Sequence, residues 1–115
     1  MMNKERGMKS VKYTIYQLPE ESDLIFMNFD YASKHGGVDI SEYERVYSGE
    51  IEVSGNVTDR IAYALEKLFA KFNTDIPEDY EGRSMSVSDI VSLDGIGDYF
   101  CDSIGWKKLD EGGTT

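Results

Sequence analysis

Asn56 to Asn73 reads NVTDRIAYALEKLFAKFN. Ile61, Leu65, Leu68, Phe69 and Phe72 recur at steps of three and four, which places them on one stripe of a helix. Arg60, Lys67 and Lys71 fall outside the stripe, and Lys71 near the end suits the helix dipole. Asn56 is the expected N-cap, with Asp59 three positions later in a box-like start. A helix apolar on one side needs a surface to cover, and the flanking sequence predicts that surface to be a sheet.

Upstream, Val11–Leu18 (VKYTIYQL) alternates Val11, Tyr13 and Ile15 with Lys12, Thr14 and Tyr16 in β-favouring residue types. Pro19 ends that strand. Tyr43–Val53 (YERVYSGEIEV) is the second clear strand. Tyr47, Gly49, Ile51 and Val53 share one parity and Glu50 and Glu52 the other, the pattern of a sheet with one wet face. Gly49 marks a bulge or a close backbone approach. Between the two, Leu24–Met27 reads as a short buried strand or other core-filling segment. Asp30–Lys34 reads as a short helix stopped by Gly36-Gly37.

Downstream, Asn73–Ser84 is a loop with Pro77 and Gly82 as breakers. Ser86–Leu93 is a strand, Asp94-Gly95-Ile96-Gly97 a turn, and Asp98–Asp102 the returning arm of a hairpin. Gly105 and Trp106 close the fold. The expected class is therefore α+β: a small antiparallel or mixed sheet of about four strands with one long helix packed on a face. Residues 1–9 are read as a flexible leader, 10–108 as a single domain and 109–115 as a disordered tail.

The chain of 115 residues carries a net charge of −10. The acids are unevenly spread. Residues 13–55 hold nine acids against two bases and residues 74–102 eight against one, with a near-neutral helix between them. Brought to one face, the two blocks would make a negative patch several kT deep. Direct nucleic-acid binding is disfavoured, because phosphate contact needs clustered Lys and Arg. No apolar run approaches the roughly 20 residues of a membrane helix, and Met1–Ser10 lacks the apolar core of a secretory signal. With one cysteine and no signal, the expected compartment is the cytoplasm.

Catalytic groups are sparse. One His and one Cys cannot build the common zinc sites. His35 is expected in solvent, and Cys101, in Tyr99-Phe100-Cys101, as a buried inert thiol. Asp94, Asp98 and Asp102 lack the ligand alternation and terminal Glu of a calcium loop. No cofactor and no metal is expected, and the reading is of a binding protein rather than an enzyme.

Ile76–Val91 (IPEDYEGRSMSVSDIV) resembles the hallmark of YodL-like domains, a pattern close to hPEDaxGbSLSVSDVV in which h is apolar, a aromatic and b basic. Tyr99–Lys107 (YFCDSIGWK) resembles their YYVDSFGF ending, Tyr13–Leu18 their YxIYQL strand, and Tyr43–Glu50 their YxxVYxGE block. The match covers roughly residues 11–108. The same residues have a structural reading: Asp79 and Gly82 suit a turn, and Ser84, Ser86, Ser88 and Asp89 suit hydrogen bonds to backbone at the start of a strand.

The resemblance implies a context of conjugative and phage-like mobile elements, often beside antirestriction modules. It implies no enzymatic activity. A small acidic copy resembles the proteins with which such elements disarm host defence. The expectation is a non-enzymatic inhibitor of a host defence nuclease, foremost an anti-CRISPR against a type II RNA-guided effector, with restriction enzymes as the other target. Its contact residues are expected to be Glu78, Asp79, Glu81, Asp94 and Asp98, with Tyr80 as an aromatic anchor. The alternative is an accessory protein-interaction module of a conjugative element.

Overall fold

The computed structural model describes residues 9–53 and 57–109. The remainder of the expected leader, the expected Asn56 cap and residues 110–115 of the expected tail lie outside the described residues. Lys9, assigned to the leader by sequence, already belongs to the first strand.

In chain order the elements are β1 (Lys9–Gln17), α1 (Phe29–Lys34), a 3₁₀ turn (Ile40–Glu42), β2 (Glu44–Val53), α2 (Val57–Thr74), β3 (Ile90–Leu93), β4 (Gly97–Cys101) and β5 (Trp106–Lys108). The strands form one sheet in the order β2-β1-β3-β4-β5, and every pairing is antiparallel. This overturns the expected fold class. Among the described residues the sheet has five strands rather than about four, and it is wholly antiparallel; strand residues outnumber those of the two helices, so the fold is mostly β rather than a four-stranded sheet under one long helix. Trp106–Lys108 escapes the sequence reading because three residues are too few to display a period of two.

β1 lies inside the sheet, between β2 and β3, and its alternation is clean. Val11, Tyr13, Ile15 and Gln17 are buried, while Lys12 is exposed and Thr14 and Tyr16 are half-buried. The register sets Ile51 against Val11, Gly49 against Tyr13 and Tyr47 against Ile15 on one side, and Leu93 and Val91 against Tyr13 and Ile15 on the other. These residues, with Tyr99, make one apolar face. Ala64, Leu65, Leu68 and Phe72 of α2 join it, as do Tyr80 and Met85 from the loop that follows. Full burial of a residue such as Phe72 or Leu68 contributes roughly 1.5–3 kcal/mol. Phe69, expected in the helix stripe, is exposed.

Gly49 answers the close-approach reading rather than the bulge. A Cβ there would lie 2.6 Å from the Tyr13 hydroxyl, so the tyrosine ring crosses the strand over the glycine. The bulge sits further along, where Ile15 pairs Tyr47 but Tyr16 pairs Arg45, leaving Val46 as the extra residue.

The second face is covered at one end. Ile90 and Phe100 face each other in the register and are buried, and Phe29 of α1 meets Phe100 edge-on at 5.4 Å. Asn28 caps α1 by accepting from Tyr31 N, and Gly37 N closes the other end on Ala32 O. Leu24–Met27 forms no strand. Phe26 and Met27 are exposed, so this segment does not supply the core volume expected of it. Likewise β3 begins at Ile90 rather than Ser86, because the Asp89 carboxylate accepts from Ser86 N and folds 86–89 into a turn.

Candidate functional site: an acidic groove above a buried polar knot

Gln17 occupies an inward position of β1 where the alternation calls for an apolar residue, and it is buried. Its side chain is a clamp. Oε1 accepts from Arg83 N at 2.9 Å, and Nε2 donates to Arg83 O at 3.0 Å and to Asp89 Oδ2 at 3.0 Å. Asp89 Oδ2 also accepts from Ser86 N at 2.9 Å. The Tyr80 hydroxyl donates to Arg83 O at 2.6 Å, and Arg83 Nη2 donates to Leu18 O at 2.9 Å. One glutamine therefore ties the loop between α2 and β3 to the end of β1.

Asp89 is fully buried. Burial pushes its carboxyl up to about 6, against the opposing pull of the Ser86 and Gln17 hydrogen bonds and the Arg83 charge. Asp89 Oδ1, Ser86 Oγ and Arg83 Nε are buried without a hydrogen-bond partner among the described residues. The same Asp89 drives neighbouring hydroxyls upward: Tyr80 reaches about 12, mainly through burial and then through the Asp89 charge.

Ser88 and Phe26, next to this knot, are the two non-glycine residues with left-handed backbone among the described residues, at φ +87° and +67°. They are bonded to each other, Phe26 N donating to Ser88 Oγ at 3.0 Å. Ser88 is held further by Tyr43, whose hydroxyl donates to Ser88 O at 2.8 Å, and by its own N–H on Cys101 O at 2.9 Å. The Arg83 guanidinium lies over the Phe26 ring at 5.6 Å.

Above the knot opens a groove of about 330 Å³. Leu18, Pro19 and Val46 give it apolar patches, and Glu20, Glu21, Glu44 and Glu81 line it with carboxylates beside Arg83. Gly82 is required on its wall, since a Cβ there would lie 2.7 Å from the Tyr80 hydroxyl and 2.8 Å from Gln17 Oε1. Among the described residues no three His, Cys, Asp or Glu side chains are arranged to hold a metal ion. Carboxylates spaced around a groove in this way suit Lys and Arg side chains of another protein.

The six residues expected to contact a partner are not brought together. Glu81 lines the groove. Glu78 is exposed, and Asp79 is exposed and accepts from the Tyr47 hydroxyl at 2.9 Å; neither lines the groove. Tyr80 is no surface anchor: it is 9% exposed and packs on Phe72 at 4.8 Å and Tyr47 at 5.5 Å. Asp94 and Asp98 line a different cavity of about 580 Å³ with Lys108 at the β3–β4 turn. Asp94 N bonds Lys12 O, whereas the groove hangs on Gln17; five positions of extended strand separate them, roughly 16 Å. The acids therefore gather at two places along β1: Glu20, Glu21 and Glu44 of the first block with Glu81 of the second at its Gln17 end, and Asp94 and Asp98 of the second block near Lys12.

Gln17, Asp89 and three of the groove glutamates, Glu20, Glu21 and Glu44, were absent from the expected site. Gln17 is detectable as a polar residue on the buried parity of a strand; Glu44 joins the adjacent Glu20 and Glu21 only through pairing of β1 with β2. His35 Nδ1 donates to Tyr31 O at 2.8 Å and the ring stacks on the Tyr31 ring at 3.9 Å, which gives it a local structural role. Cys101 is buried, and its thiol is pushed up to about 12, first by burial and then by the Asp89, Glu66 and Asp102 charges. Asp102 accepts from Phe29 N and Ser103 N.

No helix among the described residues is long and apolar enough to cross a membrane. A family model described as YodL-like domain matches residues 12–111. No curated protein and no solved structure matches the chain.

Proposed function

The chain belongs to the YodL-like domain family, and from that premise we propose that it is a non-enzymatic inhibitor of a host defence nuclease in the cytoplasm. It acts by presenting carboxylates to a surface that normally receives nucleic acid. The observation that supports this reading is the groove bordered by Glu20, Glu21, Glu44 and Glu81 in a chain of net charge −10. The partner class that fits is a type II RNA-guided effector, which holds its guide and heteroduplex in a positively charged channel; restriction enzymes offer comparable basic clefts. Complementary charge speeds encounter and makes it sensitive to salt.

The test is co-elution of the purified protein with a type II effector, with and without guide RNA, over a salt series. A complex formed without guide and weakened by salt supports competition for the nucleic-acid channel. A complex seen only with guide moves the contact to the DNA-reading surface. Reversal of Glu20, Glu21 and Glu81 to Lys abolishes inhibition on this reading while the fold persists. Full inhibition by that variant contradicts the mechanism. Absence of any complex with effectors and restriction enzymes favours the accessory-module alternative.

A further inference from the structure

Phe26 is held in an unfavourable way for an exposed residue. The residue is 54% exposed, yet its backbone is left-handed, which disfavours any side chain with a Cβ. Left-handed non-glycine residues persist only where the surroundings fix them, and they concentrate at sites of function. Here the fixing is specific. The Phe26 N–H is bonded to Ser88, itself left-handed and anchored through Tyr43 and Cys101. The ring rests on Arg83, whose guanidinium is tied to Leu18 O. Met27, the next residue, is also exposed. A buried network thus supports an apolar side chain that the core does not use.

Arg83 and Leu18 also line the carboxylate groove, so Phe26 stands at its border. An aromatic beside a ring of charges is the anatomy of an interface hot spot, where the aromatic fills a pocket and the charges align the rim. We propose that Phe26 is the anchor by which this chain docks on a protein partner, inserting into an apolar pocket bordered by Lys and Arg. The charge of the groove selects the occupant: Glu20, Glu21, Glu44 and Glu81 repel an acidic surface, including that of a second copy, and attract a basic one. The anchor role expected of Tyr80 falls to Phe26, because Tyr80 is consumed by the aromatic core. This inference rests on the acidic-groove reading above and adds the residue that fixes its position.

The experiment titrates the full chain with a short amphipathic Leu–Lys peptide, whose leucine face is bordered by lysines, and with a Leu–Glu peptide of the same apolar pattern. The readouts are the dissociation constant and the NMR shifts of the Phe26 ring and Met27 methyl. Binding of the Leu–Lys peptide alone is expected, with shifts at Phe26. Phe26→Gly keeps the left-handed turn without its side chain; it is expected to weaken binding about tenfold or more while the unfolding midpoint stays equal or rises. Phe26→Trp restores binding. Unchanged binding by Phe26→Gly overturns the anchor, and if Glu20→Lys with Glu21→Lys still abolishes that binding, the acidic-groove reading survives it. Equal binding of both peptides, or of neither, overturns the anchor and the charge selection together.

Discussion

The Gln17 carboxamide donates to Asp89 Oδ2 at 3.0 Å, joining residues 72 positions apart. The bond lies in a buried setting where neither group reaches water. A fully satisfied glutamine thus meets a carboxylate that has one oxygen bonded and the other alone. That asymmetry governs how the protein responds to acid and to substitution.

Asp89 makes stability depend on pH in the direction opposite to a salt-bridged acid. Its carboxyl titrates at about 6 in the fold against an ordinary 3.8, so the folded chain holds the proton to higher pH than the unfolded one. Its contribution is complete below the ordinary value and is lost as pH rises through about 6. Two units correspond to about 3 kcal/mol. Urea unfolding between those limits is expected to show the Asp89→Asn variant gaining on the native chain by roughly that amount. Parallel profiles contradict the assignment.

Gln17→Leu preserves volume and removes the clamp. Arg83 N loses its acceptor and Asp89 Oδ2 keeps Ser86 N alone. The expected loss is about 2–4 kcal/mol, read from the denaturant midpoint at constant slope. A loss below about 1 kcal/mol means that the loop is held by packing instead.

Gly82→Ala drives a methyl into the Tyr80 hydroxyl and Gln17 Oε1. Both are committed to Arg83, so neither moves freely. Destabilisation of about 1–3 kcal/mol is expected, with part of it recovered when Tyr80→Phe removes the clashing oxygen. No recovery in the double variant places the conflict at Gln17 alone.

Cys101 is expected to resist alkylation. With its thiol pushed up to about 12, little thiolate forms at neutral pH, and the sulfur is buried. Iodoacetamide should modify the native chain at least roughly a hundredfold more slowly than the urea-unfolded chain. Comparable rates would mean that the β4 end of the sheet opens readily.

What the sequence reveals follows from periodicity. Val11, Tyr13 and Ile15 announce β1, Ile51 and Val53 announce β2, and the Leu65, Leu68 and Phe72 stripe announces α2, because each pattern repeats long enough to fix a face. The class inferred from those pieces fails on what does not repeat. Trp106–Lys108 is too short to register, and Leu24–Met27 is apolar without being buried, since Ser88 holds Phe26 outward. Site reading fails for a related reason. Acid content shows where charge is dense along the chain but not which end of β1 receives it, so Glu81 and Asp98 appear as one surface until the register separates them. The structural reading of the hallmark segment is the one the hydrogen bonds bear on: Ser88 Oγ and Asp89 Oδ2 both accept from backbone N–H groups.

The strand order carries a consequence for biosynthesis. β1 leaves the ribosome first, yet its two neighbours come from distant parts of the chain: β2 supplies one edge, while the other waits for Leu93 to reach Tyr13. At roughly 5–20 residues per second, translation leaves that edge open for several seconds after β1 emerges. During this interval β1 has β2 available as a partner but not β3, so the backbone groups of Tyr13–Tyr16 on that side lack their final partners. An open strand edge is a template for pairing with another chain, and a charged residue such as the exposed Lys12 blunts it.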